Sequence, residues 1–147
     1  MSEAEQLAFL EAERIVNVAT FGPRGWPHLM PLWYVVRDGE IWIWTYAKSQ
    51  KVKNIERDPR ATLLVEAGDE YQELRGVQIE AEAELVDDFD TIFDFAKELT
   101  KRYAEGIDSI EGDAAEALKA QASKRIVIRF HPRHVASWDH RKLGGVY

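Results

Sequence analysis

Between Thr45 and Lys51 the sequence reads T-Y-A-K-S-Q-K, which sets two aliphatic hydroxyls, Thr45 and Ser49, and two ammonium groups on one short stretch of chain. Across Trp44 to Arg60 the cations Lys48, Lys51, Lys53, Arg57 and Arg60 stand against Glu56 and Asp58, a local balance of +3 in a chain of net charge −7. Ser49 is placed to cap a helix, and Lys51 then falls in that helix's first turn. A cation there opposes the helix dipole, which favours anions at this end by about 0.3–1 kcal/mol. Free first-turn N–H groups, the Ser49 hydroxyl and the Lys51 ammonium together suit a phosphate or carboxylate. Thr45 adds a hydroxyl from the preceding strand. Lys53 and Arg57 read instead as a solvated helix face paired with Glu56 and Asp58.

Other chemistries find less support. The absence of cysteine removes thiolate nucleophiles, disulfides and cysteine metal sites. His131 and His134 flank Pro132 in an extended context, so they do not share a helical ligand face, and with His140 added no metal site is expected. No Ser/His/Asp set has a supporting local context, and no catalytic acid or base is assigned.

Positioning the cation cluster requires a strand, a tight turn and a short helix. Asp38-Gly39 is a hairpin signal leading into the strand Glu40 to Tyr46. The helix runs from about Ser49 to Arg57 and is stopped by Asp58-Pro59. Upstream, Ser2 and Glu5 form a capping box for a first helix with Leu7 and Leu10 as its apolar stripe. Ile15 to Phe21 alternates as a strand. Trp26 to Arg37 is extended, but Pro27 and Pro31 cannot donate ladder hydrogen bonds. That predicts an edge or bulged strand with backbone free to face a ligand.

Downstream, Ala61 to Ala67 is a strand. Tyr71 to Val86 sets Val77, Ile79, Ala81, Ala83 and Leu85 against Gln78, Glu80, Glu82 and Glu84 with period two. Helical spacing covers Asp88 to Glu105, ended by Gly106, and Asp113 to Ser123. Arg125 to Phe130 is a last strand, His131 to Trp138 is extended, and the tail from Asp139 reads as mobile. About six strands with two late helices describe a mainly β fold, an antiparallel barrel with peripheral helices, as one domain over residues 1–147.

Composition agrees. The hydrophobic and charged fractions, 46% and 31%, are those of a soluble globular domain. The acidic balance disfavours a nucleic-acid partner. The N-terminus lacks the basic and apolar regions of a signal peptide, and no apolar run reaches the ~18 residues of a membrane span. No membrane partner is expected, and the cytoplasm is the expected location.

The segments GPRGWPHLMPLWYVV, Trp44-Thr45 with Ser49-Gln50-Lys51, NIERDPRATLLVE and RIVIRFHPRHVASWD occur in this order. Together they cover most of the chain and resemble the pyridoxamine 5'-phosphate oxidase-like flavoproteins, which have a split β-barrel of Greek-key-like topology. The resemblance implies a homodimer holding FMN or the deazaflavin F-420 at its interface. It implies that Ser49 and Lys51 take the phosphate, beside Gln50, and that Thr45 and Trp44 line the ring or ribityl chain. Met30, Pro31 and Leu32 would face the ring through their backbone, and Arg75 matches an arginine of the next cofactor-facing strand. Trp33, Tyr34 and Trp138 would set the substrate pocket. Trp33 and Trp44 suit an aromatic wall for a tricyclic ring, whereas Trp42 suits the barrel core or a subunit interface.

True pyridoxamine-phosphate oxidases carry arginine and lysine where this chain has His28 and Trp33. They have a second basic residue in place of Gln50, and an arginine-rich C-terminus. The expectation is therefore an F-420- or FMN-dependent oxidoreductase that moves hydride to or from a small planar substrate. Lys48, Lys53 and Arg24 could meet the anionic tail of F-420, which favours that cofactor. The alternative is a non-catalytic flavin- or haem-binding carrier or sensor of the same fold.

Overall fold

The computed structural model describes residues 1–104, 106–107 and 109–144. Its strands are β1 (Val16–Phe21), β2 (Pro27–Leu32), β3 (Val35–Arg37), β4 (Glu40–Tyr46), β5 (Arg60–Ala67), β6 (Arg75–Val86) and β7 (Arg125–Asp139). Neighbours pair antiparallel in the order β2-β1-β5-β6-β7-β4-β3. The two edges, β2 and β3, are separated in sequence only by Trp33 and Tyr34. The chain thus passes from one edge of the curled sheet to the other and closes it into a split barrel.

The expected single strand over 26–37 is broken at this crossing by tertiary bonds. Tyr34 is fully buried and its hydroxyl donates to the Leu10 carbonyl at 2.6 Å. The Tyr103 hydroxyl accepts from the Tyr34 N–H at 3.1 Å and lies 2.8 Å from the Tyr34 and Arg14 carbonyls. The β3–β4 turn carries Asp38 and Gly39 at φ 52° and 78°, the left-handed pair that a two-residue hairpin demands.

Alternation builds the core. Val16, Val18, Ile41, Ile43, Leu63, Val65, Val77, Ile79, Ile128 and Phe130 fill the barrel. The described residues form the α-helices α1 (Glu3–Ala12), α2 (Gln50–Arg57), α3 (Phe89–Tyr103) and α4 (Gly112–Ala122) outside it. The capping box of α1 is formed from both sides, Glu5 N–H to Ser2 Oγ and Ser2 N–H to the Glu5 carboxylate. Its buried residues are Phe9 and Leu10, and Leu7 is exposed, because α1 turns Phe9 beneath the Arg75 guanidinium. A second apolar cluster of Val35, Ile92, Phe95, Leu99, Ala122 and Val127 seats α3 and α4 against β3 and β7. Helix α3 stops at Tyr103, with Ala104 already extended; Glu105 lies outside the described residues.

The last strand is longer than its apolar run. Residues 125–139 form one strand, with the register shift against β6 falling between Glu80 and Ala81, opposite Pro132 to His134. Pro132 has no N–H for the ladder there. Through Gly144 the tail is docked rather than mobile. Asp139 caps a single turn at His140–Leu143, the His140 N–H donates to the Leu74 carbonyl, and Lys142 Nζ reaches Glu5 at 2.6 Å. Gly145 to Tyr147 lie outside the described residues. Among the described residues no helix is long and apolar enough to cross a membrane.

Candidate functional site

Period two along β4 sends Ile41, Ile43 and Thr45 inward and Trp42, Trp44 and Tyr46 outward. The chain then turns, and Ser49 enters α2 in the extended conformation of an N-cap. Among the described residues the buried polar or charged side chains are Thr20, Thr45, Lys51 and Asn54. All four lie on α2 or against it. Lys51 Nζ donates to Thr45 Oγ1 at 2.9 Å, and Thr45 Oγ1 lies 3.3 Å from Ser49 Oγ.

Lys51 is 7% exposed, has no carboxylate partner among the described residues, and is pushed by burial below the ordinary lysine pKa. The Ser49 hydroxyl makes no capping bond, and the first turn holds no acid. The N–H groups of Gln50, Lys51 and Val52 have no intrahelical acceptor. A buried cation, two hydroxyls and the first-turn amides of α2 form one set of donors. This chemistry fits a phosphate.

Sequence reasoning missed what holds this cradle in place. Asn54 Nδ2 donates to Thr20 Oγ1 of β1 at 3.0 Å and its Oδ1 accepts from Gln50 Nε2 at 2.8 Å. An asparagine four residues after a glutamine in a short helix was the available signal. Lys53 is exposed, as expected. Arg57, expected to pair with acids, instead donates to the Phe21 carbonyl and so ties α2 to β1. Asp58 turns to Arg60, whose guanidinium holds its carboxyl at about 2.

Pro31, Leu32, Trp33 and Trp44 gather with Ile15 around a groove of about 360 Å³. Met30 sits one residue away on the free edge strand β2, and is 40% exposed. The Trp44 side chain lies on the opposite face of β4 from Thr45, so it serves this groove and leaves the cradle to Thr45. Trp33 is 54% exposed and stacks on Tyr103 at 4.5 Å. Tyr34, expected in the substrate pocket, is a core residue instead, because its hydroxyl bonds the end of α1. Gln50 is exposed and borders a small cavity with Trp26 and His28.

Arg75 and Trp138 form a separate group. Arg75 pairs with Asp139 at the end of β7, whereas Thr45 pairs with Ile126 at its start. Within one chain Arg75 is therefore not brought to Lys51; it lies 3.5 Å from Glu13. Trp138 covers Gly76, where an added Cβ would meet its ring at 2.4 Å. Among the described residues no group of histidine and acidic side chains could hold a metal ion.

The sequence pattern described as pyridoxamine 5'-phosphate oxidase matches residues 2–139. No curated protein sequence matches the chain. A conserved hypothetical protein from Mycobacterium tuberculosis is 41% identical over 100% of this chain and 90% of its own, with a TM-score of 0.90. An F420 reductase superposes with a TM-score of 0.66 at 22% identity, over 88% of this chain and 94% of its own. A haem storage protein from Vibrio cholerae gives 0.68 at 15% identity, over 93% of each chain. The last two likenesses concern the fold. With nearly the whole sequence matched and the split barrel formed, the chain belongs to the pyridoxamine 5'-phosphate oxidase family.

Proposed function

We propose that this protein is an oxidoreductase that binds a phosphate-bearing flavin, FMN or F-420, and serves a small planar substrate. The observation that carries the reading is Lys51, a buried lysine with two hydroxyls beside it and no carboxylate among the described residues. Thr45, Ser49 and Lys51 hold the phosphate, with Gln50 at its border. The groove of Pro31, Leu32, Trp33 and Trp44 takes the ring, and Met30 flanks it along the β2 edge. When bound, the flavin would supply the hydride chemistry, and the protein would supply orientation and an apolar wall.

The exposed cations Lys48 and Lys53 favour F-420, whose acidic tail extends beyond its phosphate. We place the site at a homodimer interface. Among the described residues no strand pairs with the outer edge of β2; Leu29 on that strand and Trp26 just before it are 60% and 75% exposed, a strand edge that natural proteins cover. A second chain would also give Arg75 and Trp138 a route to a shared site.

Titration with FMN, F-420 and riboflavin, followed by tryptophan quenching, tests the reading. Micromolar binding of one phosphorylated cofactor and weak binding of riboflavin is expected. Equal affinity for FMN and riboflavin would overturn the cradle. Bound cofactor that is reduced but never reoxidised by any acceptor would make the protein a carrier. A stable monomer in sedimentation at micromolar concentration would remove the interface.

A further inference from the structure

A larger cleft, about 940 Å³, lies against α3 and α4 and shares Trp33 and Trp44 with the ring groove. Its walls are those two indoles with Leu99, Ile110, Ala117 and Leu118, and one cation, Arg125, stands among them. The Arg125 guanidinium lies 4.3 Å from the Trp44 ring centre and 4.6 Å from that of Tyr46. One of its nitrogens, Nη1, reaches the Gln121 carbonyl at 3.3 Å and the Gln121 amide oxygen at 3.5 Å. Its Nε and Nη2 have no acceptor, and it has no carboxylate partner, among the described residues. Arg37, Arg60, Arg129, Arg133 and Arg141 have carboxylate partners, and Arg57 and Arg102 spend their guanidinium groups on backbone carbonyls.

We propose that this cleft binds an aromatic carboxylate, with the flat apolar body among Leu99, Ala117 and Leu118 at the edges of the two indoles and the carboxylate on Arg125. The volume lies within the range of small-molecule sites, and such sites combine apolar walls with a few placed polar groups. Two aromatic faces hold the guanidinium in one orientation, which lowers the entropy lost on engaging a ligand. Nε and Nη2, which meet no acceptor among the described residues, form the planar fork that a carboxylate accepts in bidentate fashion. A neutral ligand would leave those donors unmet, and a cationic one would be repelled. The cleft shares its indole wall with the ring groove, so its occupant would be the planar substrate. That last step, unlike the binding itself, rests on the function proposed above.

Calorimetry on the full-length protein without added cofactor tests the site, using naphthoate and the isosteric neutral naphthamide as probes. The carboxylate should bind about ten- to a hundredfold more tightly than the amide, the ratio expected of one charge-assisted contact. Arg125→Gln should bring that ratio close to one while keeping amide affinity, and Arg125→Lys should keep part of it. Ala117→Trp, which fills the cleft, should abolish both ligands. Circular dichroism shows whether each variant folds; if Arg125→Gln does not, the Lys variant and the filled cleft decide. Equal binding of the two probes, no binding of either, or a preference that survives Arg125→Gln would overturn the proposal. The measurement contains no flavin, so failure of cofactor binding would leave its outcome unchanged.

Discussion

Lys51→Met separates the two roles a buried lysine can have. Lys51 is 7% exposed and its ammonium donates to Thr45 Oγ1 at 2.9 Å. Burial without a counter-charge costs free energy. Methionine replaces the aliphatic stem and removes the charge, so stability should hold or rise by about 1 kcal/mol. The cradle, by contrast, loses a charge-assisted contact of about 1.5–3 kcal/mol, a ten- to hundredfold loss in affinity for a phosphorylated flavin. Riboflavin lacks the phosphate, so the ratio of FMN to riboflavin affinity should fall by the same factor. Lys53→Met, on the exposed face, should leave that ratio unchanged.

The pH dependence has a definite sign. Burial lowers the pKa of Lys51 in the free protein, and a bound phosphate raises it again. Binding therefore takes up a proton in the window between the two values. Affinity is highest below the free-protein value and falls as pH rises through it, and Lys51→Met should flatten that fall. The same depressed pKa makes the free protein gain stability as pH rises from the folded value towards the ordinary lysine value. Fluorescence titrations across neutral to alkaline pH, with urea unfolding of both proteins, provide the numbers. An unchanged FMN-to-riboflavin ratio in Lys51→Met, or a stability loss as large as the affinity loss, would refute the cradle.

Arg102→Ala should cost about 1–3 kcal/mol in urea unfolding, because its guanidinium satisfies the Glu11 and Glu13 carbonyls at 3.0 and 2.8 Å, where α1 ends. Amide exchange should show the loss concentrated in α1. Gly76→Ala should displace the Trp138 ring, lower stability by about 1–3 kcal/mol and shift tryptophan emission; an unchanged spectrum and melting temperature would contradict the close packing. The Lys142 ammonium and the Ser2 N–H hold the Glu5 carboxyl at about 2. This contribution is present above the ordinary glutamate value and is lost as pH falls through about 2. Carboxyl titration by NMR should show that midpoint moving upward in Lys142→Ala.

The parts of the fold written in local pattern were legible. The capping box at Ser2, the Asp38-Gly39 turn and the alternation of β6 each depend on residues within a few positions of one another. The crossing at Trp33-Tyr34 was not, because it depends on Leu10 and Tyr103, which are distant in sequence. The length of β7 was hidden by a change from an apolar to a polar run within one strand.

The cradle was legible because Thr45, Ser49 and Lys51 span little more than one turn of chain. Its anchor was not, since the Thr20–Asn54 bond joins residues that no periodicity links. Alternation along β4 already separated Trp44 from Thr45; grouping them came from family resemblance. Arg125 escaped notice because an arginine opening a strand looks ordinary until Trp44 and Tyr46 are seen beneath it.

Val86 and Val127 are ladder partners at the root of β6 and β7. The chain that forms α3 and α4 therefore leaves the barrel and re-enters it on the same rung. Provided that Arg102, Tyr103 and the apolar face packed on Val35 and Val127 are kept, its length and sequence can change without altering the register of any strand, at a closure cost that grows only with the logarithm of loop length. One wall of the larger cleft is made by this excursion, whereas the phosphate cradle belongs to the barrel and α2. Related chains could thus exchange the excursion and acquire a different occupant for the cleft while keeping the same anion site.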